Sequence, residues 1–305
     1  MHSISMYSVS VRDRAVRNAD NKNGNLELSN LRGKDLLVYL KTFLKDREKD
    51  YFKLVDSAGN EINSVFKTTQ TTVDDRFISG WVEYGHYGVP GKLINVDNSN
   101  NVFKKSKSDS DISHLYYCFY IPKGSHYGVA LFHKIGTVGA KSVIEDLFNE
   151  DNEFPNWSKG LKLRIKPLTR ETDVRNWMRK AQVKKIVLEK FKDKDQFSDV
   201  ANKLSKDAHM SMTITAPRGD FLGSLFDWNS ADYSETVELL EDMCAEVKTE
   251  IDVSGKRRMT TLSNQGTESK IDITSADVKM TDNFPRFSSI DTFAKSLAKD
   301  LSSSF

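Results

Sequence analysis

At 305 residues, with 38% hydrophobic and 10% aromatic content, the chain can bury one large core or two ordinary ones and is too apolar to be disordered. Six prolines and a formal net charge of +2 exclude long proline-rich linkers and an overall polycation or polyanion. No stretch approaches the ~18 apolar residues of a membrane span, and no basic segment leads into an apolar run, so a cytoplasmic protein without a secretory signal is expected.

In chain order, residues 3–11 alternate, with Ile4, Met6 and Val9 assigned to one face, and predict a strand. Leu36, Leu37, Leu40, Phe43 and Leu44 have helical spacing and predict a helix over 33–46, followed by a short strand at Tyr51–Val55 that ends in the turn Ser57-Ala58-Gly59-Asn60. A β-rich stretch comes next, with strands at Phe77–Tyr84, Lys92–Val96, Val102–Lys105, His114–Ile121 and Tyr127–Ile135, joined by turns and a polar loop at Asp97–Asn101. Gly80, Gly85 and Gly88 mark bulges or a tight bend. A helix with Val143, Ile144, Leu147 and Phe148 on its stripe follows. Phe154-Pro155-Asn156-Trp157 reads as a boundary. Beyond it the pattern gives strands at 161–167, 183–191, 208–215, 247–253, 257–263 and 268–273. Helices are predicted at 171–181, 197–205, 220–227 and 232–245, with a terminal one at 289–301 carrying Ile290, Phe293, Leu297 and Leu301.

The expected class is therefore α+β. Residues 1–154 form an antiparallel β-meander with two helices, serving as an interaction or oligomerisation platform. Residues 155–305 form a mixed α/β domain. Cys118 and Cys244, far apart among apolar neighbours, predict buried thiols in a reducing compartment.

The near-neutral total hides a segregation of charge. Residues 159–192 hold twelve Lys or Arg against three acids, a local net of +9. Residues 227–252 hold nine acids against Lys248, a local net of −8. In the strand at 161–167, Lys162, Arg164 and Lys166 alternate with Leu161, Leu163 and Ile165 and so project from one face. Arg175 and Arg179 share a face of the helix at 171–181, where Thr169 is the expected N-cap and Val174, Trp177, Met178 and Ala181 form the apolar stripe. Lys184 and Lys185 follow. A surface built from these seven cations would attract nucleic-acid phosphates, DNA or RNA. The same segment could instead dock on the acidic one, within the chain or across a homo-oligomer.

Glu246-Val247-Lys248 matches the E-x-K element of metal-dependent nucleases, with Asp220 or Asp232 as an upstream acid, and would need magnesium. The tripeptide is common, and nucleases more often carry it on the second strand of a hairpin. Otherwise no cofactor is implied. His86, His126 and His133 could converge within the sheet, and His114 shares a strand face with Cys118, but no C-x-x-C or H-x-x-x-H spacing predicts a metal site. Tyr116, Tyr117, Phe119 and Tyr120 either fill a core strand or stack on bases. Neither G-x-S-x-G, a Walker loop nor G-x-G-x-x-G after a strand is present.

The segment from Gly128 to Val143 (GVALFHKIGTVGAKSV), preceded by Ile78–Gly85 (ISGWVEYG), resembles poorly characterised bacterial proteins encoded on mobile elements or among anti-phage defence genes. The likeness rests on glycine and apolar placement in the middle third of the chain and brings no catalytic residue with it. It implies a bacterial accessory protein acting on phage or host nucleic acid. Three readings result: a nucleic-acid-binding accessory protein, a self-associating scaffold, and a nuclease.

Overall fold

The computed structural model describes residues 2–13, 25–56, 58–98, 101–150, 160–168, 178–191, 211–228, 231–253, 255–262 and 270–302. Its centre is one large antiparallel sheet. The strands of the first half are β1 (His2–Asp13), β2 (Phe52–Val55), β3 (Glu61–Asp74), β4 (Phe77–His86), β7 (Asp111–Tyr120), β8 (Gly128–Ile135) and β9 (Val138–Gly139). Those of the second half are β10 (Leu161–Pro167), β11 (Gln182–Phe191), β12 (Ser211–Thr215), β13 (Cys244–Val253), β14 (Lys256–Leu262) and β15 (Lys270–Asp272). They run in the order β12-β11-β13-β14-β15-β1-β8-β7-β4-β3-β2, with β10 also paired to β1 and β9 to β8. The predicted hairpin at 92–96 and 102–105 forms a separate two-stranded sheet, β5 (Gly91–Ile94) with β6 (Asn101–Lys105). A second such pair is β16 (Met280–Thr281) with β17 (Phe284–Pro285).

β1 holds the two halves of the chain together. β8 pairs along one of its edges, while β15 (against Ser3–Ser5) and β10 (against Tyr7–Asp13) share the other. Strands from both sides of residue 154 thus enter one sheet. Because a strand alternates faces with period two, Ile4 and Met6 point into one core and Tyr7, Val9 and Val11 into the other. Val9 therefore faces away from Ile4 and Met6 rather than joining them. A sheet covered on both sides explains why β1 is buried almost end to end.

Over the Val9 face lie α1 (Leu36–Asp46) and α2 (Lys141–Glu150), which meet through the rings of Phe43 and Phe148, 5.1 Å apart and edge-on. Asp35 caps α1 by accepting from the Leu37 amide at 2.9 Å. Over the Ile4 face lies the terminal helix, here α5 (Phe287–Ser302), burying Ile290, Ala294, Leu297, Ala298 and Leu301. Its Asp291 accepts from the hydroxyls of Ser79 on β4 (2.5 Å) and Tyr116 on β7 (2.8 Å), which fixes the helix to the sheet. The remaining helices are α3 (Leu225–Trp228) and α4 (Ala231–Met243).

On β4, Gly80 has a packing reason. A Cβ there would lie 2.6 Å from the Tyr117 hydroxyl, which needs that space to reach the Thr71 hydroxyl at 2.8 Å. β3 is an element the sequence pattern did not predict. Most of the predicted helix at 171–181 and all of that at 197–205 lie outside the described residues, although 178–180 are helical. Both cysteines are buried and free, as expected. Among the described residues no helix is long and apolar enough to cross a membrane.

Candidate functional site

β10 carries its cations as its alternation requires. Leu161, Leu163 and Ile165 are buried in the core shared with α1 and α2. Lys162, Arg164 and Lys166 occupy the opposite face, the first two half-buried and the third exposed. The register against β1 then places Ser8 across from Lys166, Ser10 across from Arg164, and the exposed Arg12 across from Lys162. The two serines are buried, and the β1 neighbours of Lys166 and Arg164 in the register are therefore short and uncharged. Four cations thus converge on two adjacent strands, and among the described residues none of them forms an ion pair. Arg12 lies outside the basic segment, and only the strand register reveals it.

The far edge of β10 is closed by α2 rather than by another strand. Asn149 Oδ1 accepts from the Leu163 amide at 2.9 Å, its Nδ2 donates to the Leu163 carbonyl at 3.0 Å, and Glu145 accepts from the Ile165 amide at 2.9 Å. An edge strand whose amides are occupied in this way is protected from pairing with a foreign strand. At its N-terminal end the row meets acids, because Lys162 shares a hollow of about 380 Å³ with Glu145, Asp146 and Glu150.

The other predicted cations do not join this row. β13, β14 and β15 stand between β11 and β1 in the sheet, and the β11 cations have partners of their own. Lys184 donates to the Asp220 carbonyl at 3.1 Å and lies 3.7 Å over the Phe221 ring. Lys185 reaches Glu250 at 3.3 Å, and Glu250 also meets Arg257 at 3.5 Å. Arg179 sits 4.5 Å over the Phe226 ring. Nearby, hydrogen bonds from the Ser224 hydroxyl and amide, aided by the Arg179 charge, hold the Asp227 carboxyl below the usual range. Arg175 lies outside the described residues. The single seven-cation surface read from the sequence is therefore divided. Its β10 part forms no ion pair among the described residues, and its β11 part meets the acidic segment through the β11–β13 pairing.

Glu246 and Lys248 sit two apart on β13, in the interior of the sheet. Lys248 Nζ is held by Glu189 on β11 at 2.8 Å, which ties the amine expected to orient a water into a cross-strand pair. Asp220 lies near Lys184, toward the opposite end of β11 from Glu189. The structure therefore does not gather these three residues into one centre. Asp232 is in α4. Among the described residues no three His, Cys, Asp or Glu side chains come together as metal ligands.

His86, His126 and His133 do not converge: His86 meets the Ser64 hydroxyl at 2.8 Å, and His126 the Asn25 carbonyl at 3.1 Å. His133 instead stacks on His2, which sequence reading passed over, with Nδ1 of His2 2.8 Å from Nε2 of His133. Burial, reinforced by the His2 charge, pulls His133 down to about 3. Tyr116, Tyr117 and Phe119 are fully buried, which corrects the base-stacking expectation for them. They are core because both faces of β7 are covered.

The chain matches no family model, and no curated protein matches it.

Proposed function

We propose that the protein is a non-membrane, cytoplasmic accessory protein that engages nucleic-acid phosphates through Arg12, Lys162, Arg164 and Lys166. The observation behind this reading is the row itself: four cations on one face of two paired strands, without ion pairs among the described residues. Residues two apart on a strand are separated by about 6.6 Å, a spacing comparable to one nucleotide step of an extended strand. The contacts available are to phosphate rather than to bases, so the expected binding is independent of sequence and strongly salt-dependent.

Four phosphate contacts correspond to a slope of log affinity against log salt of about −3 to −4. The test is fluorescence anisotropy with labelled single-stranded and duplex oligonucleotides at 50–200 mM salt (on the order of the range over which such contacts are screened). The triple variant Arg12→Glu/Arg164→Glu/Lys166→Glu should lose binding, whereas Lys184→Glu/Lys185→Glu should retain most of it. Equal binding by the triple variant and the wild type, or no binding by the wild type at low salt, would overturn the proposal.

A further inference from the structure

The β5–β6 hairpin stands apart from the large sheet, and among the described residues its strands pair only with each other. Its register sets Lys92 directly across from Lys104. Ile94 follows on the Lys92 face, two residues along β5, and Val96 comes next in the turn. These four side chains are exposed, Val96 at 84%. Like charges facing each other across a strand pair repel, and a two-stranded hairpin on its own is marginal in water. A basic, apolar ribbon of this kind is stabilised by an acidic, apolar partner.

α4 carries a surface with those properties. It buries Val237 in the core and packs Tyr233 and Leu240 against it, which accounts for one face of the helix. Leu239 and Met243, four residues apart and so on one row, are nevertheless 59% and 45% exposed. The exposed Glu235 extends that row by one turn, and the exposed Glu238 lies beside it. Along α4 the row reads acid, apolar, apolar, with a step of about 6 Å for every four residues. Along the hairpin Lys92, Ile94 and Val96 read cation, apolar, apolar, with a step of about 6.6 Å for every two. Among the described residues Lys92, Lys104, Glu235 and Glu238 form no ion pair.

The two surfaces lie far apart in one copy. α4 leads directly into β13, the hairpin springs from β4, and β14, β15, β1, β8 and β7 stand between those strands. At the usual strand spacing that is roughly 30 Å across the sheet. We infer that the β5–β6 hairpin of one copy docks on α4 of a second copy, lysines on glutamates and Ile94 and Val96 against Leu239 and Met243. The β10 row has the charge to compete for α4, but neither β1 nor β10 offers an exposed large apolar side chain. Self-association therefore uses residues distinct from those proposed to bind polyanions.

Sedimentation velocity of the full chain tests this at roughly 10 μM to 1 mM protein, the range suited to a small interface, and at low and high salt. The weight-average sedimentation coefficient should rise with concentration, less steeply at high salt. Lys92→Glu/Lys104→Glu and Glu235→Lys/Glu238→Lys should each weaken self-association by about tenfold or more. An equimolar mixture of the two variants should restore it, because the two unaltered surfaces and the two reversed ones then form complementary pairs between different molecules. Recovery in the mixture also shows that both variants are folded. The Arg12→Glu/Arg164→Glu/Lys166→Glu variant should associate as the wild type does, so failure here is distinguishable from failure of the polyanion-binding proposal. The inference is overturned by a wild type that stays monomeric over that range, by undiminished association of either double variant, or by a mixture that does not recover. Loss of association in the β10 variant would move the basic partner of α4 to β10 and overturn it equally.

Discussion

Asp35 performs two tasks that substitutions can separate. It caps α1, and it forms a two-bond ion pair with Arg76 in the β3–β4 turn, at 2.6 and 3.1 Å. Arg76 in turn donates Nε to the Ile121 carbonyl at 2.5 Å and accepts the Ile121 amide at 3.0 Å, so the start of α1, the β3–β4 turn and the end of β7 meet at one guanidinium. The side chains are 10% and 21% exposed, so solvent screens the pair only weakly. Asp35→Asn keeps a capping oxygen but removes the charge. Losing two charge-assisted bonds around a largely buried guanidinium should cost about 2–3 kcal/mol. Asp35→Ala also loses the cap, adding about 1 kcal/mol. Burial pushes the Asp35 carboxyl up, but the Arg76 bond, the Leu37 amide and the nearby Arg76 and Lys123 charges outweigh it and hold the group below the usual range. A depressed folded pKa gives stability that is fully present above the unfolded value of about 3.9 and is lost as pH falls through the folded one. Urea unfolding followed by tryptophan fluorescence should therefore rank wild type, Asn and Ala in that order at pH 7, with the gap between wild type and Asn closing below about pH 3. An Asn variant within about 0.5 kcal/mol of the wild type at pH 7, or a gap undiminished in acid, would refute the reasoning.

His133, held near 3 by burial and by His2, should remain neutral to well below pH 5, as followed by its imidazole carbon shifts. Because the unfolded chain takes up that proton near 6.5, His133 should make the fold lose stability as pH falls from about 6.5, by at most about 1.4 kcal/mol per pH unit. His133→Gln should flatten that slope, and titration of His133 near 6 would contradict the assignment. Asn149→Ala leaves the Leu163 amide and carbonyl without their α2 partner and should cost about 2 kcal/mol. Hydrogen exchange at the Leu163 amide should quicken, and unchanged protection would show that α2 does not hold the β10 edge.

What could be read from the sequence follows the range of the interactions involved. β4, β7, β8, β10 and β11 show themselves because their apolar alternation or aromatic content is local. The α5 stripe of Ile290, Leu297 and Leu301 likewise needs only helical spacing. β3 escaped because it holds few apolar residues and is built largely on threonines: Thr68 and Thr71 are buried, Thr68 donates to the Leu44 carbonyl at 2.5 Å, and the strand pairs with β2 and β4. The Lys162, Arg164, Lys166 row was legible for the same reason as β10 itself. Arg12 was not, since its place opposite Lys162 depends on a pairing between strands about 150 residues apart. The partners of Lys185 and Lys248 were hidden in the same way, in the β11–β13 register, and the stacking of His2 on His133 in that of β1 and β8.

The charge segregation then resolves by topology. β11 is antiparallel to β13, and their register sets Lys185 directly across from Glu250, while Lys248 reaches diagonally to Glu189. Base and acid alternate across that face, so its field is short-ranged; Lys185 against Glu250 cancels one charge of the +9 there, while Glu189 and Lys248 pair the minority charges of the two segments. β10 belongs to the same basic segment but lies against β1, whose facing residues are Ser8, Ser10 and Arg12. No carboxylate comes from that neighbour, and a fourth cation does. One run of sequence is thereby divided into a part interleaved with the acids of β13 and a part that forms no ion pair among the described residues and meets acids at its Lys162 end, and the potential that would draw a polyanion belongs to the second part. Salt should therefore act strongly on ligand binding at β10 and weakly on the β11–β13 pairing, which is partly buried and held by its backbone ladder.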